Sequence, residues 1–189
     1  MKKVFALLLA LCLLCVSAAA LAEVVSGEKA VELDDFTLNL KDGEAYQVAE
    51  KVVNQPYVMV YPYYGAGDQS TNYNVVWMGG VFEMTLDQLK AEAGGMEETL
   101  RAQFEPYGVT LNKFEASEPY EASLNGVPCL AIELTLEISA MGQNMTVYER
   151  QIAVGSIGYI FTISAGSAED LEKATQSMSD ALAIPVAVN

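Results

Sequence analysis

The sequence predicts an α+β fold: a largely antiparallel sheet of about six to seven strands flanked by two main helices. Three observations carry that expectation. Segments of alternating polar and apolar residues recur with a period of two, as half-buried strands require. Two stretches, 86–104 and 168–183, instead place apolar residues three or four apart, the stripe of an amphipathic helix. The order strands, helix, four strands, helix, with short turns late in the chain, fits antiparallel pairing within one layered domain.

The chain of 189 residues opens with an export signal. Lys2 and Lys3 precede an apolar run from Val4 to Val16, and Ala20-Leu21-Ala22 is a small-x-small cleavage site, which predicts a signal peptide over 1–22 cut after Ala22. The run is too short to span a bilayer, which takes about 20 residues. Cys12 and Cys15 lie within it, but Leu11 and Leu14 stand where lipid attachment wants a small residue, so plain secretion is favoured over a lipoprotein. No transmembrane anchor is expected after cleavage.

Residues 23–35 are polar and acidic and read as a flexible lead-in, and 36–185 as a single domain. Phe36, Leu38 and Leu40 alternate with polar neighbours as a first strand ending at Asp42-Gly43. Val58 to Tyr61, between Pro56 and Pro62, is a second. Tyr73 to Met78 form a third, stopped by Gly79-Gly80. Leu86, Leu89, Ala93, Met96, Leu100 and Phe104 stripe one long helix, with Thr85 and Gln88 spaced as a capping box and Pro106 at its end. Gly94 and Gly95 weaken its middle by about 1 kcal/mol each relative to alanine and predict a bend or a close backbone contact there.

Val109 to Ala116 resumes the strands. Leu130, Ile132, Leu134, Leu136 and Ile138 then point one way, and Cys129, Ala131, Glu133, Thr135 and Glu137 the other. A turn at Gly142-Gln143-Asn144 leads to a strand over Met145–Val154. Tyr159 to Ile163, apolar on both faces, reads as a central strand. Ser167 and Asp170 cap the last helix, Leu171, Ala174, Met178 and Leu182 form its core face, and Pro185 stops it.

Composition excludes much chemistry. There is no histidine, so Ser-His-Asp and Cys-His catalysis lack their base and the usual histidine-bearing zinc sites lack a ligand. Beyond the signal only Cys129 remains, which precludes an intramolecular disulfide and reads as a small packed strand residue. The formal charge is −15, and losing Lys2 and Lys3 with no acid makes it −17. Such a surface repels phosphate backbones and anionic headgroups, so no nucleic-acid partner is expected; a basic partner or bound cations are compatible with it.

The remaining motifs are weak. Ser26-Gly27-Glu28-Lys29 matches S-x-x-K, but its companion motifs are absent. Glu133 and Glu137 share a strand face with backbones about 13 Å apart, beyond the roughly 5–9.5 Å of a glycosidase pair. Asp68, Ser70 and Asn72 have the alternate spacing of a calcium loop, but Tyr73 and Gly79 stand where an EF-hand needs glycine and glutamate. They are the only candidate metal ligands, and a turn bonded to its own backbone is the simpler account. Tyr57, Met59, Tyr61 and Tyr63 would share one strand face, and with Tyr64 and Trp77 they make a candidate protein or glycan contact surface.

The chain also resembles the PsbP-like superfamily, named for a photosystem II extrinsic protein. The residues are the opening strand Phe36–Leu40 with its glycine-containing turn, the helix start Thr85-Leu86-Asp87-Gln88-Leu89, the turn Leu124-Asn125-Gly126-Val127-Pro128-Cys129-Leu130, and Tyr148 and Tyr159 in the hairpins beyond. The resemblance covers most of 34–184. It implies an α-β-α sandwich and a binding or assembly role, with no ligand residues to carry across. The functional expectation is an exported, non-enzymatic binding or accessory protein of the cell envelope or extracellular space, with no cofactor. A carboxylate-dependent glycan or peptidoglycan hydrolase and a weak calcium-binding accessory protein are the alternatives.

Overall fold

The computed structural model describes residues 24–184; the predicted signal peptide lies outside the described residues. Strands are β1 (Val25–Ser26), β2 (Lys29–Glu32), β3 (Thr37–Leu40), β4 (Ala45–Val48), β5 (Pro56–Tyr61), β6 (Asn72–Trp77), β7 (Thr110–Ala116), β8 (Tyr120–Leu124), β9 (Val127–Ala140), β10 (Gln143–Val154), β11 (Tyr159–Ala165) and β12 (Leu182–Ala183). The helices are α1 (Leu86–Ala93), α2 (Met96–Phe104) and α3 (Ala168–Ala181).

Nine strands form one antiparallel sheet in the order β1-β4-β5-β6-β11-β10-β9-β7, with β8 on the other end of β9; β12, β3 and β2 make a second, small sheet. The count exceeds the six to seven strands expected. One reason is that β9 is long enough to pair β7 through Leu134–Ser139 and β8 through Val127–Ala131. The strand read as the opening of the main sheet is instead β3, bonded to β2 and β12. Residues 23–35 are not a plain lead-in, since they contribute β1, bonded to β4, and β2, bonded to β3.

Alternation along β9 and β10 decides which helix packs where. Ile132, Leu134, Leu136 and Ile138 join Leu89, Met96, Leu100 and Phe104 in a core under α1 and α2. Cys129, Ala131, Ile152 and Val154 share the opposite core with Leu171, Ala174, Met178 and Ala181 of α3 and with Phe36 and Leu38 of the small sheet. Phe36 sets its ring edge-on to Tyr159 at 5.3 Å, an arrangement that places positive ring edge on negative ring face. Helices therefore lie on both faces.

Both predicted N-caps form. Thr85 Oγ1 accepts from Gln88 N at 3.2 Å while Gln88 Oε1 accepts from Thr85 N at 2.8 Å. Ser167 Oγ accepts from Asp170 N at 3.1 Å. The single helix expected over 86–104 is two helices, because Gly95 N turns back to Glu92 O at 3.0 Å and Gly95 becomes the start of α2. Without side chains there, the chain gives up one helical turn and lets Leu89 and Leu100 both reach the sheet.

Asn125-Gly126 closes the β8–β9 hairpin with positive φ at both residues, 51° and 84°, the two-residue turn whose twist matches its strands. The same asparagine donates from Nδ2 to Ser179 O at 2.8 Å and accepts at Oδ1 from Ser179 Oγ at 2.7 Å, closing the end of α3 against the hairpin. The β9–β10 turn is Met141-Gly142, also with both φ positive, so β10 starts at Gln143 rather than at Met145.

Two tight approaches hold the 79–82 loop on the β10–β11 turn. Phe82 N donates to Gly155 O at 3.0 Å and Met78 N to Gly158 O at 2.9 Å. A Cβ on Gly158 would sit 2.4 Å from Gly80 O, and its φ of 80° already disfavours any other residue. Gly158→Ala is expected to destabilise the domain by about 2 kcal/mol or more, read as a lower urea midpoint at unchanged slope. An unchanged midpoint would show that the loop is not held there.

Candidate functional site

The tyrosines expected on one surface occupy three places. The register of β5 against β6 shifts between Pro56 and Val58, so Tyr57 is the extra residue of a bulge and turns to the α3 side with Val58 and Val60. Met59 and Tyr61 stay on the other face, where Tyr64 leans toward Tyr61 at 6.4 Å between rings. Tyr63 lies beyond β5, at the start of a short 3-10 turn over Tyr64–Ala66, where burial raises its phenol pKa within the field of Lys173 and Asp170 on α3. The single face expected for Tyr57, Met59, Tyr61 and Tyr63 is thus corrected by the bulge.

Tyr57 and Trp77 instead help enclose Lys51. The Lys51 ammonium stands 4.9 Å from the Trp77 ring centre, 5.2 Å from that of Tyr159 and 5.6 Å from that of Tyr57. It donates to Asp34 Oδ2 at 3.1 Å and to Asp35 Oδ2 at 3.0 Å, and Tyr159 also donates its hydroxyl to Asp35. Burial works against the charge on Lys51, but hydrogen bonds with Tyr159, Asp35 and Asp34 outweigh it and its pKa is raised. The Tyr159 hydrogen bond, opposed by burial and aided by Lys51, holds the Asp35 carboxyl below its usual range. This cage joins the 34–35 segment, the β4–β5 loop and the sheet.

A different cluster lies on the α1–α2 side of the sheet. In register across three strands, Asn74 pairs Thr162, which pairs Gln151; one step along, Asn72 pairs Ser164, which pairs Glu149. With strands about 4.8 Å apart and alternate residues about 7 Å apart, these six side chains form a grid of about 10 by 7 Å. All six are buried, Glu149, Asn74 and Thr162 completely. Apolar neighbours frame the grid: Val76, Ile160 and Ala153 beyond the first row, Ile132 and Leu134 on β9, Met59 and Tyr61 on β5.

Two amide donors of the grid are engaged, while five of its oxygens are not. Gln151 Nε2 donates to Glu149 Oε1 at 2.8 Å, and Asn72 Nδ2 to Ser70 O at 3.2 Å. Glu149 Oε2, Gln151 Oε1, Asn72 Oδ1, Thr162 Oγ1 and Ser164 Oγ are buried without a partner. Burial pushes the Glu149 carboxyl up to about 8, against the lowering effect of the Gln151 hydrogen bond.

The other sequence candidates fall elsewhere. Asp68 Oδ1 accepts from Ser70 N, Ser70 Oγ and Thr71 N at 2.8, 2.7 and 3.3 Å, a turn bonded to itself, while Asn72 belongs to the grid; the three do not converge as ligands. Among the described residues no group of three acidic or cysteine side chains is arranged to hold a metal ion. Glu133 pairs Arg150 at 2.7 Å and Glu137 pairs Lys113 at 3.7 Å, so each acid has its own base. Ser26 and Lys29 flank a turn between strands rather than a helix start. Cys129 is a free, buried thiol whose pKa burial raises, on the wall of an open groove of about 470 Å³ that also carries Glu83 and Glu121. Among the described residues no helix is long and apolar enough to cross a membrane.

Solved structures similar to this chain include cyanobacterial PsbP from Synechocystis sp. PCC 6803, at a TM-score of 0.49 and 11% identity over 87% of this chain and 92% of that one. LpqN of Mycobacterium tuberculosis, described as involved in cell envelope biogenesis, is similar at 0.44 and 14% over 89% and 94%. PA94 of Pseudomonas aeruginosa, a protein of unknown function, is similar at 0.38 and 12% over 85% and 100%. The likeness is one of fold. The first of these, cyanobacterial PsbP, bears the name of the superfamily that the sequence resembles. No family model and no curated protein matches the sequence.

Neither Lys51 nor the grid was singled out from sequence. Asn72, Asn74, Thr162, Ser164, Glu149 and Gln151 alternate with apolar residues in three strands, a pattern that ordinarily marks a solvent face. The usable signal was that these polar positions share strands with Val76, Ile160 and Ala153, which are buried on the same face.

Two outcomes follow. Lys51→Met keeps the aliphatic stem and removes the charge, and should lower stability by about 1–2 kcal/mol in urea unfolding, a modest loss because the Asp34 and Asp35 side chains are 70% and 44% exposed. A folded-state pKa near 8 against an ordinary value of 4.5 means that native Glu149 holds its proton where the unfolded chain has lost it. Stability then falls as pH rises from about 4.5 to about 8, by several kcal/mol at most. Glu149→Gln should remove that slope, so its advantage over wild type grows between pH 5 and pH 8; parallel pH profiles would refute the assignment.

Proposed function

We propose that the chain is an exported, non-enzymatic binding protein of the cell envelope or extracellular space, and that its ligand is a small polar molecule seated on the Asn72–Asn74–Thr162–Ser164–Glu149–Gln151 grid. The observation that carries this reading is the row of buried oxygens without donors. Each such oxygen costs about 1–3 kcal/mol if left unmade, and a domain has only about 5–15 kcal/mol of net stability. Groups of this kind are kept where they meet something other than the protein's own side chains.

The absence of histidine supports binding over catalysis. Glu149 has the raised pKa of an acid catalyst, but its cross-strand neighbours are Leu134 and Ser164, which gives a two-carboxylate mechanism no second acid beside it.

Native mass spectrometry of the exported protein, joined to NMR of the Asn72, Asn74 and Gln151 side-chain amides, tests the role. A bound small molecule, or amide shifts on titration with polar amines and polyols, is expected in wild type and not in Thr162→Val/Gln151→Leu. An unliganded mass with amides that no such compound moves would remove the grid as a binding site.

A further inference from the structure

The grid differs from a generally polar pocket in the sign of its unmet valences. Its amide donors already bond within the protein, at Gln151 to Glu149 and at Asn72 to Ser70. What remains is a carboxyl oxygen and two amide oxygens, with two hydroxyls that can accept as well as donate. No lysine or arginine lies among the cross-strand neighbours of these six residues, which are Met59 on one side and Ile132 and Leu134 on the other.

From this we infer that the grid recognises the ammonium group of a small organic amine, with Glu149, which releases its proton to solvent on binding, as its counter-charge and the amide and hydroxyl oxygens of Gln151, Thr162, Ser164 and Asn72 as acceptors. The inference rests on the binding role proposed above. A primary ammonium has three N–H donors and no acceptor, which suits the carboxylate and amide oxygens of Glu149, Gln151 and Asn72, while the Thr162 and Ser164 hydroxyls can turn a lone pair toward it. A polyol brings no charge to balance an ionised Glu149, and only the Thr162 and Ser164 hydroxyls could meet its lone pairs. A bare metal ion needs oxygens converging within about 2.5 Å of one point, whereas side chains on a pleated sheet start about 5–7 Å apart in one plane. An extended molecule with N–H groups fits that plane better. The charge of −15 attracts cations to the protein from every direction.

Paired probes differing by one group test this: glucosamine against glucose, and ethanolamine against ethylene glycol, each titrated into the exported protein and followed by the Asn72 and Gln151 amide resonances. In at least one pair the amine is expected to bind tenfold or more tighter than its neutral counterpart. Glu149→Gln, of unchanged size, should abolish that preference, and Thr162→Val should weaken the amine while keeping the preference. Amide dispersion in the variant spectra confirms that each is folded. Equal binding of amine and neutral partner, or a preference that survives in Glu149→Gln, overturns the ammonium assignment and leaves the binding role intact. No shift with any of the four compounds overturns the ammonium assignment, and the mass measurement then decides the binding role separately.

Discussion

The register of β10 against β9 and β11 is the constraint from which most of the molecule follows. Eleven residue pairs join β9 to β10, and seven join β10 to β11. A slip by one residue would exchange the two faces of every strand concerned. Ile132, Leu134, Leu136 and Ile138 would leave α1 and α2, and Arg150 would leave α3. In the register that forms, Arg150 reaches Glu133 at 2.7 Å and Glu172 of α3 at 2.6 Å from a mostly buried position. Its charge is matched by two carboxylates at once, and the helix is fixed relative to the sheet.

That same register sends Glu149 and Gln151 to the other face, between Leu134 and Ile132 of β9 and Ser164 and Thr162 of β11. Strand alternation thus leaves no freedom to turn the polar residues outward without turning the apolar ones with them. The sheet carries two differently composed regions on one face: an apolar one under α1 and α2, and a polar one nearer β5 and β6. A purely structural face would favour apolar residues in both, since an apolar group has no hydrogen bond to lose.

What was legible in the sequence is what depends on local pattern. Thr85-Gln88 and Ser167-Asp170 cap as spacing alone dictates, because the donor and acceptor lie within one turn of each other. The faces of β9 are right because a strand's alternation needs no partner to define it. The failures that bear on the candidate sites are non-local. Tyr57 sits on the opposite face because a bulge against β6 inserts one residue, and the strand's own residues carry no sign of it. Phe36–Leu40 reads as a first strand, but its own residues do not name its partners, which are β2 and β12, the latter more than 140 residues further along the chain. Lys51 looks like any exposed loop lysine until Trp77, Tyr159 and Tyr57 converge on it.

The two ionic clusters show why the grid, and not the cage, carries the functional reading. Around Lys51 every charge has a partner from the chain: one ammonium, two carboxylates, three ring faces and a phenol that donates to Asp35. Nothing is left over, and the result is a clamp joining residues 34–35 to the sheet. Around Glu149 the chain provides one hydrogen bond and then stops, although Ser164 lies directly across from it and Gln151 and Thr162 form the next row. A protein that places an ammonium so completely at one site, and assembles acceptors without one at another, contains both halves of the same interaction. In the cage the cation is the chain's own, and the ammonium inferred for the grid would stand as its counterpart there.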